Sequence, residues 1–178
     1  MQYNITNIVM FFLIYGFLGF LLETAFRTIT EMEIVISRGF LTNFFCPLYG
    51  LSGVIIVQVF NLIEINIDNR LAALLTATAA CILVVTLLEY STGMILDRVF
   101  HHKMWDYSNL PLNLHSYICL DFSLMWGIVT LILAGIIHPL MEIVVYAMPE
   151  QAKLTAIYTS LILLIINSTH NFRIMGEL

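Results

Sequence analysis

Charged residues are scarce in this sequence. Only 11% of its 178 residues are Asp, Glu, Lys or Arg, while 60% are hydrophobic, and a soluble domain usually carries roughly 25% charged residues. The shortage excludes an ordinary soluble domain and predicts a protein embedded in a lipid bilayer. The length permits one domain, which we place at residues 1–178.

Basic residues are rarer than acidic ones. The chain has seven Lys and Arg and a net charge of −5, and its cations are scattered instead of clustered. Nucleic-acid binding requires a basic patch. The composition therefore excludes a nucleic-acid partner.

Motifs for metals, disulfides and nucleotides are also missing. Cys46, Cys81 and Cys119 show no paired spacing, and the five histidines form no HExxH pattern, so neither a disulfide framework nor a metal centre is indicated. The G-x-x-x-x-G-K-[ST] loop that cradles ATP phosphates does not occur. We expect no metal and no cofactor, and any ATPase that works with this chain must be a separate polypeptide.

The N-terminus lacks the features of a cleaved signal peptide. No Lys or Arg precedes the first apolar run, which continues to Phe26, whereas a signal peptide begins with positive charge and ends at small residues. The first apolar segment is therefore predicted to be a retained membrane span.

Long apolar runs dominate what remains. A helix needs about 20 apolar residues to cross the ~30 Å hydrocarbon core, and five apolar blocks occur, of which the first four reach that length and the last is shorter. The spans are predicted at about residues 5–26, 44–63, 71–96, 118–146 and 154–167. The predicted fold is all-α, a polytopic integral membrane protein built as a bundle of five transmembrane helices.

The distribution of cations predicts the orientation. With five spans, the connections after the first and third spans share a side with the C-terminus, and that side holds Arg27, Arg38, Arg98, Lys103 and Arg173. The opposite side holds only Arg70 and Lys153. The positive-inside rule then places the C-terminus in the cytoplasm and the N-terminus outside, in a plasma or inner membrane.

Three carboxylates interrupt the apolar segments. Glu23, Glu89 and Asp121 each lie one or two turns inside the same predicted boundary, on three different helices. An ionisable group inside a span costs several kcal/mol unless it is paired or faces a cavity, so it is a functional candidate. A structural alternative stays open, because Arg27 follows Glu23 at the i+4 position and could simply pair with it.

The longest connection, residues 98–117, is rich in aromatic and polar residues and is expected to fold back against the helix ends. Together with the polar groups of the spans, it predicts a cytoplasm-facing pocket. The candidate ligand-binding residues are Glu23, Arg38, Asn43, Glu89, Trp105, Asp106, Tyr107, Ser108, Asn113, Cys119 and Asp121. A structural network that holds the helix ends together is the alternative reading of the same residues.

Three stretches have the pattern of a known family: GFLGFLLE at residues 16–23, RGFLTNFFCPLYGLSG at 38–53 and WDYSNLPLNLHSYICLDFSLMWG at 105–127, followed by His138-Pro139. With these stretches the chain resembles the CmpB-type family of ABC-transporter permeases. The chain departs from the family pattern at His115, where a glycine is expected, and at Asp121, where the family often has an uncharged residue. The resemblance implies a membrane location and a permease-type role.

Three functions remain open. A transport-related subunit that binds a small or lipid-like ligand, working with a separate ATPase or as a homodimer in the lipid bilayer, is favoured. A membrane enzyme acting on a lipid or polyprenyl headgroup is the alternative, with buried carboxylates for acid–base chemistry and Arg38 to hold a phosphate. The absence of ATPase and metal motifs speaks against it, and no catalytic residue is assigned. A structural or regulatory subunit is the second alternative.

Overall fold

The computed structural model describes residues 4–34, 36 and 42–176, with side chains up to Asn171. Five helical segments in this part of the chain are long and apolar enough to cross a membrane. They are α1 (Ile5–Glu31), α2 (Pro47–Asn66), α3 (Arg70–Phe100), a fourth segment (Leu120–Ala147) and α6 (Glu150–Gly176). Strands β1 (Asn113–Leu114) and β2 (Ile118–Cys119) form a short antiparallel pair before the fourth segment. The prediction of an all-α, five-span membrane protein is confirmed.

Most helices extend beyond the predicted apolar segments. α1 continues to Glu31 and ends where Met32 adopts a left-handed conformation with φ of 54°, and α6 continues through the polar residues near the C-terminus. α3 begins where the Asn69 side chain accepts the N–H groups of Leu71 and Ala72 at 3.0 and 3.1 Å, a typical N-cap. Hydropathy identifies the apolar length of a helix, whereas caps set its ends.

The fourth segment is interrupted by a wide turn. It consists of α4 (Leu120–Ile132), a π-helical turn (Leu133–Ile137) and α5 (His138–Ala147). Pro139 explains the interruption, because its nitrogen cannot donate to the carbonyl of Gly135 and its ring would collide with that carbonyl in a regular helix. The π turn provides the extra space, and π turns are frequent at functional sites.

The chain divides into two compact units. The α3–α4 unit contains residues 55–140, and the α1–α6 unit contains residues 2–54 and 141–178. The boundaries fall inside α2 and α5.

In the α1–α6 unit, glycines allow α1 to approach the start of α2. A Cβ atom added at Gly19 would lie 2.1 Å from the Cβ of Tyr49, and one added at Gly16 would lie 2.1 Å from the ring of Phe45. The Gly16 carbonyl also accepts the N–H of Cys46 at 3.0 Å. These backbones pack at a distance that only glycine permits, as is common for membrane helices.

Polar contacts join α1 and the α1–α2 connection to α6 within this unit. The buried Lys153 ammonium donates to the Asn7 side chain at 2.8 Å near the beginning of both helices. Asn43 interacts with Asn167 and Asn171 in the C-terminal part of α6. The connection after α1 and the end of α6 therefore meet, as an odd number of spans requires.

The α3–α4 unit is organised around one stripe of α3. Its buried residues are spaced four apart and are mostly small: Ala73, Ala77, Cys81, Val85, Glu89 and Gly93. Small residues at this spacing allow a neighbouring helix to pack closely, and a Cβ at Gly127 of α4 would lie 2.8 Å from Ile82 of α3. The stripe places Glu89 on the protein-facing side of α3.

Candidate functional site

Glu89 is a buried carboxylate inside a membrane-length helix. The residue is only 5% exposed, and it lies about three turns before the end of α3. Burying a charge is costly unless hydrogen bonds or an opposite charge compensate. The contacts of Glu89 therefore decide what this site can do.

Two aromatic donors from different segments bind the two oxygens of this carboxylate. The Tyr107 hydroxyl, from the α3–α4 connection, donates to Oε1 at 3.0 Å, and the Trp126 indole, from α4, donates to Oε2 at 2.9 Å. Hydrogen bonds to an ionised group are roughly twice as strong as neutral ones. Glu89 thus joins α3, α4 and their connection at one point.

Tyr107 is held in place from two sides. Its ring stacks on Phe122 of α4 with centroids 4.8 Å apart and planes 16° from parallel, and its N–H donates to the Ser116 carbonyl at 3.0 Å. The hydroxyl is therefore directed at Glu89 by packing as well as by hydrogen bonding.

The rest of the connection covers the same stripe of α3 closer to its end. Trp105 and Tyr117 lie against Gly93, whose added Cβ would be 3.2 and 3.3 Å from them, and the Trp105 indole donates to the Tyr117 carbonyl at 2.8 Å. The Tyr117 hydroxyl donates to Asp97 at 2.6 Å, and this contact raises the pKa of Tyr117. The connection folds back on α3 and covers Glu89, and we call residues 101–119 the cover.

The outer surface of the cover carries an exposed ion pair. Lys103 donates to Asp106 at 3.0 Å, and the other carboxylate oxygen of Asp106 accepts the Ser108 N–H at 2.8 Å. The Ser108 backbone bond and the Lys103 contact lower the pKa of Asp106 to about 2. The exposed Asn113 donates to the Leu110 carbonyl at 2.7 Å and closes the turn. These side chains shape the cover.

Of the remaining candidates in the α3–α4 unit, Cys119 and Asp121 lie at the start of α4. Cys119 is buried at 2% exposure and occupies the N-cap position without a side-chain cap bond. Asp121 is exposed in the first turn, where a negative charge interacts favourably with the helix dipole. The contacts of the described residues do not join Asp121 to Glu89.

Two described candidates belong to the α1–α6 unit. Glu23 accepts from Arg27 at 2.9 Å and from the Tyr49 hydroxyl at 2.9 Å, and its side chain is 27% exposed. Asn43 contacts α6 as described above. Arg38 lies outside the described residues.

Sequence reasoning missed Trp126 as a partner of Glu89. An indole N–H inside an apolar segment usually finds an acceptor, so Trp126 could have been predicted to donate to a polar side chain nearby. The four-residue spacing from Ala73 to Gly93 likewise predicts that Glu89 faces protein, although it does not identify the partners. Among the described residues, no group of three or more His, Cys, Asp and Glu could hold a metal ion.

The five membrane-length helices define a multi-pass membrane protein. In a comparison with protein families, residues 10–172 match the family described as "Putative ABC-transporter type IV". The chain belongs to this family. The match confirms the resemblance found in the sequence. Neither a curated protein nor a solved structure matches the chain.

Proposed function

We propose that this protein is the ligand-binding membrane subunit of an ABC-type transport system. In this proposal, it binds a small or lipid-like ligand at Glu89, beneath the cover formed by residues 101–119. ATP hydrolysis would come from a separate polypeptide, because the sequence contains no phosphate-binding loop. Family membership supports the transport role.

One observation carries the assignment of the site. Glu89 is buried at 5% exposure within an apolar helix, and both oxygens accept hydrogen bonds from aromatic side chains of other segments. An ionisable residue in a span is costly to keep and commonly marks a substrate pathway. Tyr107 belongs to a connection and not to a helix, so a movement of the cover would change access to the carboxylate.

The proposed location is the plasma or inner membrane, with the N-terminus outside and the cover in the cytoplasm. The positive-inside rule supports this orientation, since the cover side carries most of the cations. A cytoplasmic cover would be accessible to a soluble ATPase. A homodimer would supply more helices for a transport path than five spans provide.

The test is thermal unfolding of the purified protein in detergent against a panel of lipids, nucleotides and metabolites. A ligand present at about 100 times its Kd should stabilise the folded state by about 2.7 kcal/mol. We expect at least one compound to raise the unfolding temperature of the parent but not of Glu89→Gln.

Glu23→Gln is the matched control, because it removes a membrane-helix carboxylate of the α1–α6 unit that also accepts a tyrosine hydroxyl. It should retain the ligand response. The proposal is overturned if no compound stabilises the parent, or if every stabilising compound acts equally on Glu89→Gln.

A further inference from the structure

The charge around Glu89 restricts the ligand. From residue 89 to the end of the cover at residue 119, the carboxylates outnumber the Lys and Arg cations: Glu89, Asp97 and Asp106 against Arg98 and Lys103. Lys103 is already paired with Asp106. An anionic ligand here would meet repulsion from a buried carboxylate in a medium where charges interact strongly.

Hydrogen-bond chemistry points the same way. An ionised carboxylate only accepts hydrogen bonds, and the Tyr107 hydroxyl and Trp126 indole fill the donor role for Glu89. A ligand that replaces either of them must bring its own donor. A positively charged donor gives the stronger bond.

A second acceptor lies next to Glu89 on α3. Thr86 precedes it by three residues and therefore lies on the same side of the helix, and its buried Oγ1 has no hydrogen-bond partner within the described chain. Thr130 of α4, one turn beyond Trp126, is fully buried and its Oγ1 also lacks a partner there. A buried hydroxyl without a partner is destabilising, and a ligand that donates a hydrogen bond to it would remove that cost.

Aromatic rings supply the remaining surroundings. Phe122 stacks on Tyr107, and Trp105 lies against α3 one turn beyond Glu89, at Gly93. Aromatic faces attract cations. A carboxylate, a free hydroxyl and neighbouring aromatic rings together suit an organic cation.

We propose that the Glu89 site binds a primary ammonium group, with the Glu89 carboxylate as its charge partner and the Thr86 hydroxyl as a further acceptor. The proposal rests on the proposed function and specifies its ligand class. The ammonium can belong to a free amine or to the headgroup of phosphatidylethanolamine, since both present the same N–H donors.

The experiment measures unfolding temperature in nanodiscs at constant ionic strength. In phosphatidylcholine discs, ethanolamine is compared with choline, which lacks N–H donors on its nitrogen, and with glycerol phosphate, an anion. A second arm replaces part of the phosphatidylcholine with phosphatidylethanolamine. Stabilisation by free ethanolamine identifies a soluble amine, whereas stabilisation by the lipid alone identifies a headgroup.

Substitutions test which side chains bind the ammonium group. Glu89→Gln should abolish the ammonium response, Glu89→Asp should retain part of it, and Asp121→Asn should leave it unchanged. Thr86→Val keeps the side-chain shape but removes the acceptor, so the apparent Kd should rise by about tenfold or more. If Thr86 were only an unsatisfied hydroxyl, Thr86→Val would instead raise the unfolding temperature without ligand and leave the Kd unchanged, which overturns its assignment.

The measurements distinguish a failure of the ammonium assignment from a failure of the proposed binding function. If glycerol phosphate or a neutral compound stabilises the parent through Glu89 while both ammonium sources have no effect, the ammonium assignment is overturned and the binding site remains. Equal stabilisation by choline and ethanolamine also contradicts it, because it makes the N–H donors unnecessary. If no compound acts through Glu89, the proposed function itself is contradicted.

Discussion

The surroundings of Glu23 and Glu89 show how differently two membrane-helix carboxylates can be stabilised. Glu23 has a cation one turn away on its own helix, Arg27 at 2.9 Å, and keeps 27% of its side chain exposed. Glu89 is almost fully buried, and its described donors come from the cover and from α4. Tyrosine hydroxyls bind both groups, so this feature alone does not distinguish them.

The difference separates a local ion pair from a tertiary centre. The Glu23–Arg27 pair forms wherever this part of α1 is helical, and a partly exposed pair at this spacing contributes little, about 0.3–0.5 kcal/mol. The Glu89 contacts exist only when α3, α4 and the cover are assembled. Glu89 is therefore the better candidate for binding that is coupled to a conformational change.

The largest expected effect concerns the packing beside each carboxylate. Gly19→Ala would bring a Cβ to 2.1 Å from the Tyr49 Cβ, an atom that side-chain rotation cannot move. We expect destabilisation at or above the usual ~1–3 kcal/mol for overpacking. Gly93→Ala beside Glu89 should cost less, because its contacts of 3.2–3.3 Å require only small shifts of Trp105 and Tyr117.

Equilibrium unfolding in mixed micelles measures both changes. Gly135→Ala is the control, since nothing lies within 4 Å of an added Cβ there. A Gly19→Ala protein as stable as Gly135→Ala would contradict the close contact of α1 with α2.

The next effect compares the carboxylates directly. Glu89→Gln presents an amide N–H₂ to one of the two donors, so one buried hydrogen bond is lost, and we expect a loss of about 1–3 kcal/mol in unfolding free energy. Glu23→Gln should cost below about 1 kcal/mol, because its ion pair is partly exposed. Unfolding titrations of the two variants side by side compare the two losses of unfolding free energy. A larger loss for Glu23→Gln than for Glu89→Gln would contradict the expected order.

A smaller effect is expected where the cover meets the end of α3. Tyr117→Phe removes the donor to Asp97 while keeping the ring, so about 1 kcal/mol should be lost, with faster hydrogen exchange across residues 101–117. Tyr158→Phe is the control, because this tyrosine is 63% exposed on α6. Unchanged exchange in Tyr117→Phe would show that this bond does not hold the cover.

The smallest effect is the titration of Asp106. Its folded-state pKa is lowered to about 2 from 3.8 by the Ser108 N–H and then by Lys103, so the ionised form favours the folded cover. This contribution is complete above about pH 4 and is lost as the pH falls through 2. The Ser108 amide shift should report the titration by NMR, with a midpoint near 2 in the parent. A midpoint at or above 3.8 would contradict the two contacts.

Much of the fold was predictable because membrane helices follow from apolar length. The helix ends were not predictable from hydropathy. The side chain of Asn69 caps the beginning of α3, and the left-handed backbone of Met32 ends α1. The break before Pro139 was within reach of sequence reasoning, because proline excludes a regular helical bond at that point.

The site was only partly predictable. An ionisable residue in an apolar run identified Glu89 and Glu23, and Arg27 was recognisable from its spacing. The choice of Tyr107 and Trp126 as donors depends on how α4 and the cover pack on α3, which no local pattern encodes. The single-domain prediction and the shared pocket of all candidates stay predictions.

The most direct test of the account is a binding titration in nanodiscs with the best ligand from the panel. The parent, Glu89→Gln and Glu23→Gln proteins are measured under one condition. We expect binding to be lost in Glu89→Gln and unchanged in Glu23→Gln. Binding that survives Glu89→Gln and disappears in Glu23→Gln would contradict it and move the functional site to the α1–α6 unit.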